Sequence, residues 1–401
     1  MTQATSPNNP HICVLGGGFG GLYTALNLTQ YSWQSSQRPN ITLVDQRDRF
    51  LFAPLLYELL TGELQTWEIA PPYPELLANT GIHFQQSAVD SIDLENKTVR
   101  LQGAPEIRYD YLVLALGGET PLHFVPGAEE HAIPFRTIAD AYRLEERLRE
   151  LEESDIEKIR VAIAGGGYSG VELACKLAER LGDRGRIRIV EKADQILRTS
   201  PEFNRKTAEE ALDNRGVWID LETTITAINA DSMTLEYKGQ EDTIPVDVLL
   251  WTVGTKVAEV ITQLPLPCND RQQVNTTSML QVVDHPDIFA LGDLADCRDA
   301  TGQTVPTTAQ AALQQAQYAA WNIWALATGR SLLPFRYQHL GEMMTLGTDT
   351  ATLAGLGITL EGSAAHIARR LAYLYRMPTL DHQIKVGLNW IAKPVRDLLA
   401  L

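Results

Sequence analysis

Short apolar runs alternate with helical apolar patterns along the chain, and one strand-to-helix passage occurs twice. Residues 12–15 and 161–164 are short, continuously apolar runs of the kind that forms buried strands. Each run leads through a glycine-rich turn into a segment whose apolar residues recur at helical spacing. The pattern therefore predicts two strand–turn–helix units of the same design.

Both turns have the GxGxxG spacing of dinucleotide-binding folds. In this motif the glycines permit the tight turn, the approach of backbone to a pyrophosphate and the packing of helix on strand, and the helix start binds phosphate charge. In each unit an acidic residue ends the next apolar run, where its carboxylate can accept hydrogen bonds from a ribose 2′-hydroxyl. The residues are Gly16, Gly18, Gly21 and Asp45 in the first unit and Gly165, Gly167, Gly170 and Glu191 in the second.

A further repeated feature extends the duplication. The runs DYLVLALGG and DVLLWTVG are candidate buried strands that end in glycine and contain Gly117 and Gly254. We therefore expect an α/β fold with two Rossmann-like dinucleotide-binding domains, the second inserted in the first, one for a flavin and one for a nicotinamide. The predicted domains are residues 11–125 with 270–330, and residues 126–269, preceded by a flexible arm at 1–10 and followed by a C-terminal amphipathic helical region at 331–401.

After the second unit the sequence returns to the first. In HPDIFALGDLADC, Asp293 follows an apolar run, and its carboxylate either reaches the ribityl chain of a flavin or caps the next helix. That helix is predicted at 305–329. Gln310, Gln314 and Gln317 lie at i, i+4 and i+7 on it, so they form one stripe of neutral amides. Such a stripe is compatible with a bound neutral ligand, and a solvated helix face is the other interpretation.

The composition narrows the class of function. The chain of 401 residues carries a formal net charge of −16, which disfavours nucleic-acid binding because a polyanion would be repelled. Its four cysteines have neither CxxC nor metal-ligand spacing, and no signal peptide opens the sequence, so we expect no metal site and a reduced compartment on the cytoplasmic side. No stretch reaches the roughly 20 apolar residues of a membrane-spanning helix, which argues against ion pumping.

The C-terminal end differs in charge from the rest of the chain. Residues 361–401 hold six Lys/Arg against three Asp/Glu, and an apolar stripe with helical spacing passes through them. Two interpretations stay open: contact with an anionic membrane surface, or packing on the protein's own core or on a homodimer partner. The stripe consists of Ile384, Leu388, Ile391, Val395 and Leu398.

Together these motifs resemble those of the type II NAD(P)H:quinone dehydrogenases, which are flavoproteins with two dinucleotide-binding domains. The resemblance runs from residue 11 to the C-terminus and rests on GGGFGG, FLFAPLLYELLTGELQTWEIA, GGGYSGVE, ALGDLAD and AQAALQQ, the last of which is similar to the family's quinone motif. More narrowly, VDQRDRFLFAPLLYEL, QTWEIAPP, SPEFNR and LWTVGT resemble the cyanobacterial and plastid branch, which includes quinone reductases of phylloquinone synthesis.

The resemblance implies an FAD-dependent, non-proton-pumping NAD(P)H:quinone oxidoreductase, peripheral to the cytoplasmic side of a thylakoid or plasma membrane. A hydride passes from NAD(P)H to FAD, and two electrons then pass to a prenylated quinone, with demethylphylloquinone as first candidate and plastoquinone as second. It implies FAD at Gly16, Gly18, Phe19, Gly20, Gly21, Asp45, Gly117 and Asp293, NAD(P)H at Gly165, Gly167, Gly170, Glu191 and Gly254, and the quinone near Gln310 and Gln314.

Glu172 is not part of the shared turn design, because the matching position in the first turn is Tyr23. An acid in the first turn of a helix gains about 0.3–1 kcal/mol from the helix dipole, but here it would repel the expected phosphates. In the resembled family a glutamate at this place approaches the nicotinamide and the flavin. We therefore assign Glu172 a catalytic role, in orienting the nicotinamide ribose or in relaying protons.

Glu191 bears on the choice of nicotinamide. Its carboxylate would repel a 2′-phosphate and so favours NADH. Arg188 and Lys192 lie close in sequence and would soften that repulsion, and the resemblance allows NADPH. NAD(P)H is therefore left open.

Other functions share this scaffold. A sulfide:quinone or disulfide reductase needs paired redox cysteines, and Cys13, Cys175, Cys268 and Cys297 form no close pair in the sequence. A ferredoxin-type reductase is disfavoured by the amide helix and the basic apolar end. A redox-sensing flavoprotein without quinone turnover is the alternative from a different class.

Overall fold

The computed structural model describes residues 9–34 and 38–399, with side chains as far as Lys393. Residues 1–8 of the predicted flexible arm lie outside this range. Over the described residues the chain divides into two compact units. The first consists of the chain up to Phe50, Pro71–Glu119 and Thr255–Gln338, and the second of Leu51–Ala70, Thr120–Gly254 and the chain from His339. In sequence, residues 51–70 and 120–254 of the second unit are therefore inserted in the first, and the chain from His339 returns to the second unit.

The helices of the described residues include the predicted helix at 305–329, which is α9 here and begins after its N-cap Thr308. In chain order they are α1 (Phe19–Gln30), α2 (Thr66–Ile69), α3 (Tyr73–Leu76), α4 (Ala128–His131), α5 (Ile138–Glu153), α6 (Tyr168–Leu181), α7 (Glu202–Asp213), α8 (Glu259–Thr262), α9 (Ala309–Thr328), α10 (Gly362–Tyr375) and α11 (Leu380–Leu399). Short 3₁₀ segments lie at Ala53–Leu59, Gly182–Arg184 and Gly292–Leu294.

The strands of the described residues are short. Up to the end of the second glycine unit they are β1 (His11–Leu15), β2 (Asn40–Asp45), β3 (His83–Gln86), β4 (Val89–Asp93), β5 (Thr98–Leu101), β6 (Ala104–Arg108), β7 (Tyr111–Leu114), β8 (Gly118–Glu119), β9 (Ala132–Pro134), β10 (Ile159–Ala164), β11 (Gly185–Val190), β12 (Trp218–Asp220), β13 (Thr223–Ile228), β14 (Ser232–Tyr237), β15 (Gln240–Pro245) and β16 (Val248–Trp251). The remainder are β17 (Lys256–Val257), β18 (Val274–Asn275), β19 (Gln281–Val282), β20 (His285–Ala290), β21 (Ala295–Asp296), β22 (Glu342–Thr345), β23 (Ala351–Gly355) and β24 (Ile358–Glu361).

The first unit is built on a sheet with strand order β19–β20–β7–β1–β2–β3. All neighbours in it are parallel except β19 and β20. Strand β1 lies inside this sheet and is buried from its second residue onward, which is why its sequence is continuously apolar. Because parallel strands end at one edge of the sheet, the turns after β1, β2, β7 and β20 lie along the same edge.

The second unit repeats this plan with the order β12–β11–β10–β16–β9, in which every neighbouring pair is parallel. The order β2–β1–β7 of the first unit corresponds to β11–β10–β16 of the second. The duplication that the sequence predicts is therefore confirmed. The antiparallel sheets β13–β14–β15 and β22–β23–β24 also belong to this unit, and α10 packs against β23 and β24.

The C-terminal helices are tied into the second unit by hydrogen bonds to residues 51–70. His382 donates to the main-chain oxygen of Glu68 at 2.8 Å. Asn389 and Trp390 donate to the buried Glu68 carboxylate at 3.0 and 2.8 Å. Lys393 donates to two main-chain oxygens of the same segment. Helices α10 and α11 are therefore part of this unit's packing and not an appendage.

Candidate active site

The first glycine turn joins the end of β1 to the start of α1. Gly16 has a φ of +99°, and its N–H donates to the oxygen of Val44 at 2.8 Å. The N-cap is Gly18, where no side chain caps the helix and an added Cβ would meet nothing within 4 Å. An added Cβ at Gly21 would overlap the carbonyl oxygen of Gly16. The turn thus packs tightly at Gly21, whereas at Gly18 the uncapped N–H groups of the helix start face open space. This arrangement suits a bound phosphate.

Asp45 lies beside this turn, at the end of β2. Its carboxylate accepts hydrogen bonds from the N–H groups of Gly17 at 2.7 Å and Arg47 at 2.8 Å. The Tyr73 hydroxyl donates to the carbonyl oxygen of Gly17 at 2.9 Å. These bonds fix the carboxylate at the carboxyl edge of the sheet, where it can accept from a ribose hydroxyl.

The other predicted residues of the first unit lie along the same edge. Gly117 follows β7 with a φ of +71°, and Asp293 lies in the 3₁₀ segment after β20. Gln315, on α9, holds this segment through its buried amide oxygen, which accepts from the Gly292 N–H at 2.9 Å. The structure thus brings to one edge the residues Gly16, Gly18, Phe19, Gly20, Gly21, Asp45, Gly117 and Asp293.

The second glycine turn repeats the geometry of the first. Gly165 has a φ of +101°, the uncapped N-cap Gly167 faces open space, and a Cβ at Gly170 would overlap the Gly165 carbonyl oxygen. The Glu191 carboxylate accepts from the N–H groups of Gly166 at 2.6 Å and Ala193 at 2.8 Å. Each residue of the turn and its acid therefore has a counterpart in the first unit.

Two further residues of the second unit, Arg188 and Gly254, bear on the predicted nucleotide site. Arg188 forms an ion pair with Asp220 at 2.7 Å and lies over the Trp218 ring, 5.6 Å from its centroid. Gly254 follows β16 with a φ of +80°, and a Cβ there would press on Pro121. Arg188 is thus already held by a carboxylate, which leaves the charge of Glu191 unopposed by it.

Both units therefore fit a dinucleotide. Each unit has a helix that starts without a capping side chain, and the glycine at that start leaves room for a diphosphate. Beside it lies a carboxylate that backbone N–H groups hold in place. Gly16, Gly18, Asp45, Gly117 and Asp293 would hold FAD, and Gly165, Gly167, Glu191 and Gly254 would hold NAD(P)H.

Glu172 does not face solvent at the helix start. Its buried carboxylate accepts from the N–H of Thr345 at 2.9 Å and lies 3.4 Å from the guanidinium of Arg369. Burial raises the pKa of Glu172 to about 7, although Arg369 and the Thr345 N–H act to lower it. The carboxyl group can thus take up and release a proton near neutral pH.

Arg369 is the largest charged side chain that is fully buried in the described chain, and the sequence analysis assigned it no role. It forms an ion pair with the equally buried Glu58 and donates to the Pro54 oxygen at 2.7 Å. Its guanidinium also lies 4.9 Å from the ring centroid of Tyr373. Burial acts to raise the pKa of Glu58, but Arg369, Lys176 and Arg370 together outweigh it, so the pKa lies below the ordinary value. Glu58 therefore stays ionised beside Glu172's partner.

A neighbouring ion-pair group extends this cluster. The fully buried Lys176 pairs with Glu63 and donates to the Gly347 oxygen at 2.8 Å. Arg370 reaches the other oxygen of the Glu63 carboxylate at 3.2 Å. Residues 51–70, α6 and α10 thus meet in one polar network within the second unit.

The two glutamines expected near a quinone are both engaged in the first unit. Gln310 accepts from the Tyr337 hydroxyl at 3.1 Å. Gln314 donates to the oxygen of Gln338 at 2.8 Å and accepts from its N–H at 3.0 Å. Gln314 thus fastens the chain after α9 to that helix, and its amide groups already have partners. Gln310 and Gln314 as quinone ligands stay predictions.

The sequence analysis missed Arg369, Glu58 and Gln315. Glu58 carried a signal, because it is a lone acid inside the apolar stretch FLFAPLLYELL and such an acid needs a buried partner. Arg369 was counted only among the basic charges of residues 361–401, which were taken to favour the membrane interpretation of that end. That part of the argument needs correction, because Arg369 and Arg370 point inward to carboxylates.

The cysteines and possible metal ligands add no further chemistry in the described residues. Cys13, Cys175 and Cys297 are buried free thiols and Cys268 is an exposed one. Across residues 9–34 and 38–399, no group of His, Cys, Asp and Glu is arranged to hold a metal ion. Among the described residues, too, no helix combines the length and the apolar character that crossing a bilayer requires.

The chain is similar to known oxidoreductases. The family model described as pyridine nucleotide-disulphide oxidoreductase matches residues 10–316. Demethylphylloquinone reductase from Synechocystis sp. is 59% identical over all of this chain and 99% of its own length. The alternative NAD(P)H-ubiquinone oxidoreductase C1 from Arabidopsis thaliana is 44% identical over 98% of this chain and 83% of its own.

Solved structures have the same fold. NDH2 from Plasmodium falciparum, solved with NADH, aligns over 96% of this chain and 98% of its own with a TM-score of 0.85 and 17% identity. The sulfide:quinone oxidoreductase from Aquifex aeolicus aligns over 91% and 90% with a TM-score of 0.78 and 22% identity. At these identities the likeness concerns the fold alone.

Proposed function

The chain belongs to the pyridine nucleotide-disulphide oxidoreductase family, in the group of demethylphylloquinone reductase and the type II NAD(P)H:quinone oxidoreductases, and from this we propose that it transfers electrons from NAD(P)H through FAD to a prenylated quinone. The observation that carries the proposal is the pair of equivalent glycine turns, each with its fixed acid. Demethylphylloquinone is the first candidate for the quinone, since the Synechocystis relative named for it is 59% identical. Plastoquinone is the second candidate.

The protein's own residues bind, orient and supply protons. Bound FAD supplies an acceptor for hydride and a donor of two electrons. The N–H groups at the starts of α1 and α6 hold the diphosphates, and Asp45 and Glu191 orient the riboses. Quinone reduction consumes two protons. Glu172, with a pKa near 7, is the buried group suited to pass one of them on.

The geometry favours NADH over NADPH in this proposal. The Glu191 carboxylate is fixed by two backbone N–H groups, and a 2′-phosphate beside it would be repelled. Arg188 is committed to Asp220. NADPH use would need Arg188 to leave that partner.

Stopped-flow absorbance of the flavin tests the activity directly. Purified protein should be yellow, with the flavin absorbance maximum at about 450 nm. This absorbance should disappear when NADH is added and return on mixing with a naphthoquinone. NADPH and a plastoquinone analogue in parallel runs rank donor and acceptor. A protein that NADH bleaches but no quinone reoxidises would be the redox-sensing flavoprotein instead.

Replacing Glu172 with glutamine is expected to lower the rate of quinone reduction by about a hundredfold. The amide keeps the shape and the bond from Thr345 but carries no proton to give. Since the acid form dominates below its pKa, wild-type turnover should fall as pH rises above about 7, and this limb should vanish in the variant. Steady-state rates from pH 5.5 to 9, roughly, measure both. A wild-type rate and pH profile in the variant would exclude the proton role.

The exposed apolar side chains of α10 and α11 support attachment to a membrane surface. Ile367, Leu371 and Tyr375 on α10 and Ile384 and Leu388 on α11 are all exposed. Charge contributes less than the sequence analysis expected, because the arginines at 369 and 370 face inward. A peripheral site on the cytoplasmic side of a thylakoid or plasma membrane would let a lipid-soluble quinone reach the enzyme. Packing of a homodimer partner on these side chains is the alternative.

Changing Leu371, Ile384 and Leu388 together to glutamine should weaken binding to vesicles by about a hundredfold or more, since each leucine or isoleucine loses its transfer energy. Their side chains are exposed, so flavin content should not change. Co-sedimentation with vesicles is the measurement. Deleting residues 361–401 is a poorer test, because it removes Arg369 and strands Glu58 without a counter-charge. Unchanged sedimentation together with loss of a dimer would favour the homodimer contact.

A further inference from the structure

The hairpin between β23 and β24 has a turn that its sequence does not favour. Gly355 pairs with Ile358, so Leu356 and Gly357 form a two-residue loop. Both have positive φ, +53° and +78°, which is the type I′ pattern. Asparagine is the favoured first residue of such a loop, because its side chain can form a local hydrogen bond. Leucine has no such bond to offset the energetic cost of a left-handed backbone.

Leu356 is also displayed to solvent, with 76% of its surface exposed. Ile358 beside it is 57% exposed. Leu340 lies just before β22, next to the pair Gly341 and Gly355, where an added Cβ would overlap the facing backbone. We call the exposed side chains of Leu340, Leu356 and Ile358 the hairpin tip. The tip thus consists of exposed aliphatic side chains near the turn of the hairpin.

The turn end of the hairpin carries no charge. Residues 350–360 contain no Asp, Glu, Lys or Arg, and the only charge in the edge strand β24 is Glu361 at its far end. Edge strands in water usually carry charges or prolines that prevent wrong contacts. A strained leucine, two exposed aliphatic neighbours and the lack of charge at the turn end of the hairpin together indicate that the tip is covered in the working protein.

We propose that the hairpin tip inserts into the interfacial layer of a lipid bilayer and acts as a second membrane anchor beside α10 and α11. This rests on the proposed membrane attachment of the protein. The hairpin lies against a helix of that surface, because α10 packs on both β23 and β24. Apolar side chains at the acyl boundary bind by the area they remove from water.

A bilayer fits the tip better than a second copy of the chain. Stable protein interfaces use about 20–30 residues on each side, and the tip offers three side chains at the end of a hairpin. Single projecting leucines are too small for such an interface but sufficient to strengthen an existing lipid contact. The occupant is therefore lipid, with self-association as the competing outcome of the test.

Leu356→Asn is the decisive variant. Asparagine suits the left-handed position, so melting temperature and flavin absorbance per chain should stay at or above wild type. The partition coefficient onto vesicles of about three parts phosphatidylcholine to one part phosphatidylglycerol should fall about tenfold. Thr359→Asn is the matched control, since it makes the same new residue at an exposed polar position of β24 and should bind vesicles like wild type.

The possible results separate the two proposals. If wild-type protein does not bind vesicles at all, membrane attachment itself fails, and the tip with it. If wild type binds and Leu356→Asn binds equally, only the hairpin anchor is overturned. If the variant binds equally but has lost a dimer that wild type forms in sedimentation velocity, the tip is a self-association contact.

Discussion

A Gly170→Ala variant is expected to keep its FAD and lose reduction by NADH by about a hundredfold or more. The new Cβ would overlap the carbonyl oxygen of Gly165, so α6 must move away from the end of β10. That movement displaces the N–H groups proposed to hold the diphosphate of NAD(P)H, and a shift of about 1 Å in a bound reactant costs on the order of a hundredfold in rate. Stopped-flow bleaching of the flavin by NADH measures the loss.

The duplicated fold supplies the matched control. Gly21→Ala produces the same overlap with Gly16 in the first unit. It should yield protein with little or no flavin. The ratio of the absorbance at about 450 nm to that at about 280 nm should be low, and reconstitution with FAD should be poor. The two assignments would be wrong if Gly170→Ala lost the flavin and Gly21→Ala kept it. A Gly170→Ala variant bleached as fast as wild type would remove the second turn from the nicotinamide site.

Arg369→Ala is expected to destabilise the protein by about 3–5 kcal/mol, because it leaves the fully buried Glu58 carboxylate without its counter-charge. Glu58→Ala should cost a similar amount for the mirror-image reason. The double variant should lose less than the sum, since neither charge is then stranded. Denaturant unfolding measures the free energy of unfolding of each variant. The control is Arg143→Ala, an exposed position where this free energy should change by no more than about 0.5 kcal/mol.

The penalty in Arg369→Ala should depend on pH. In wild type the pKa of Glu58 lies below its ordinary value, so the ion pair stabilises the fold above the unfolded pKa and is lost as pH falls. Without Arg369, burial raises the pKa of Glu58, and the carboxyl can fold in its neutral form at low pH. The difference between variant and wild type should therefore be smallest near pH 4, roughly, and grow toward neutrality. An equal penalty at all pH values would mean lost packing and not a stranded charge.

Local sequence was sufficient for the nucleotide turns. The glycine spacing, the apolar run before each turn and the acid after the next strand are contiguous signals, and the structure has β1–α1–β2 and β10–α6–β11 where they predict them. The parallel order around β1 and β10 then follows from the duplication. The same locality explains the correct placement of α9, which a capping threonine begins and a glycine ends.

Partners that are distant in sequence could not be predicted in the same way. Arg369 meets Glu58 across 311 positions, and a basic residue on an amphipathic helix looks alike whether it faces lipid or a buried carboxylate. Helical spacing located α10 but not the direction of its charged side chains. Gln314 was similarly placed in a stripe of amides, yet its groups are taken up by the backbone of Gln338.

The bonds that Glu68 receives from His382, Asn389 and Trp390 have a consequence for the gene. A premature stop codon that removes the last two helices is not expected to leave a working enzyme. It would uncover acids and backbone groups inside the second unit, and the truncated product would be degraded. Late nonsense alleles should therefore behave as nulls.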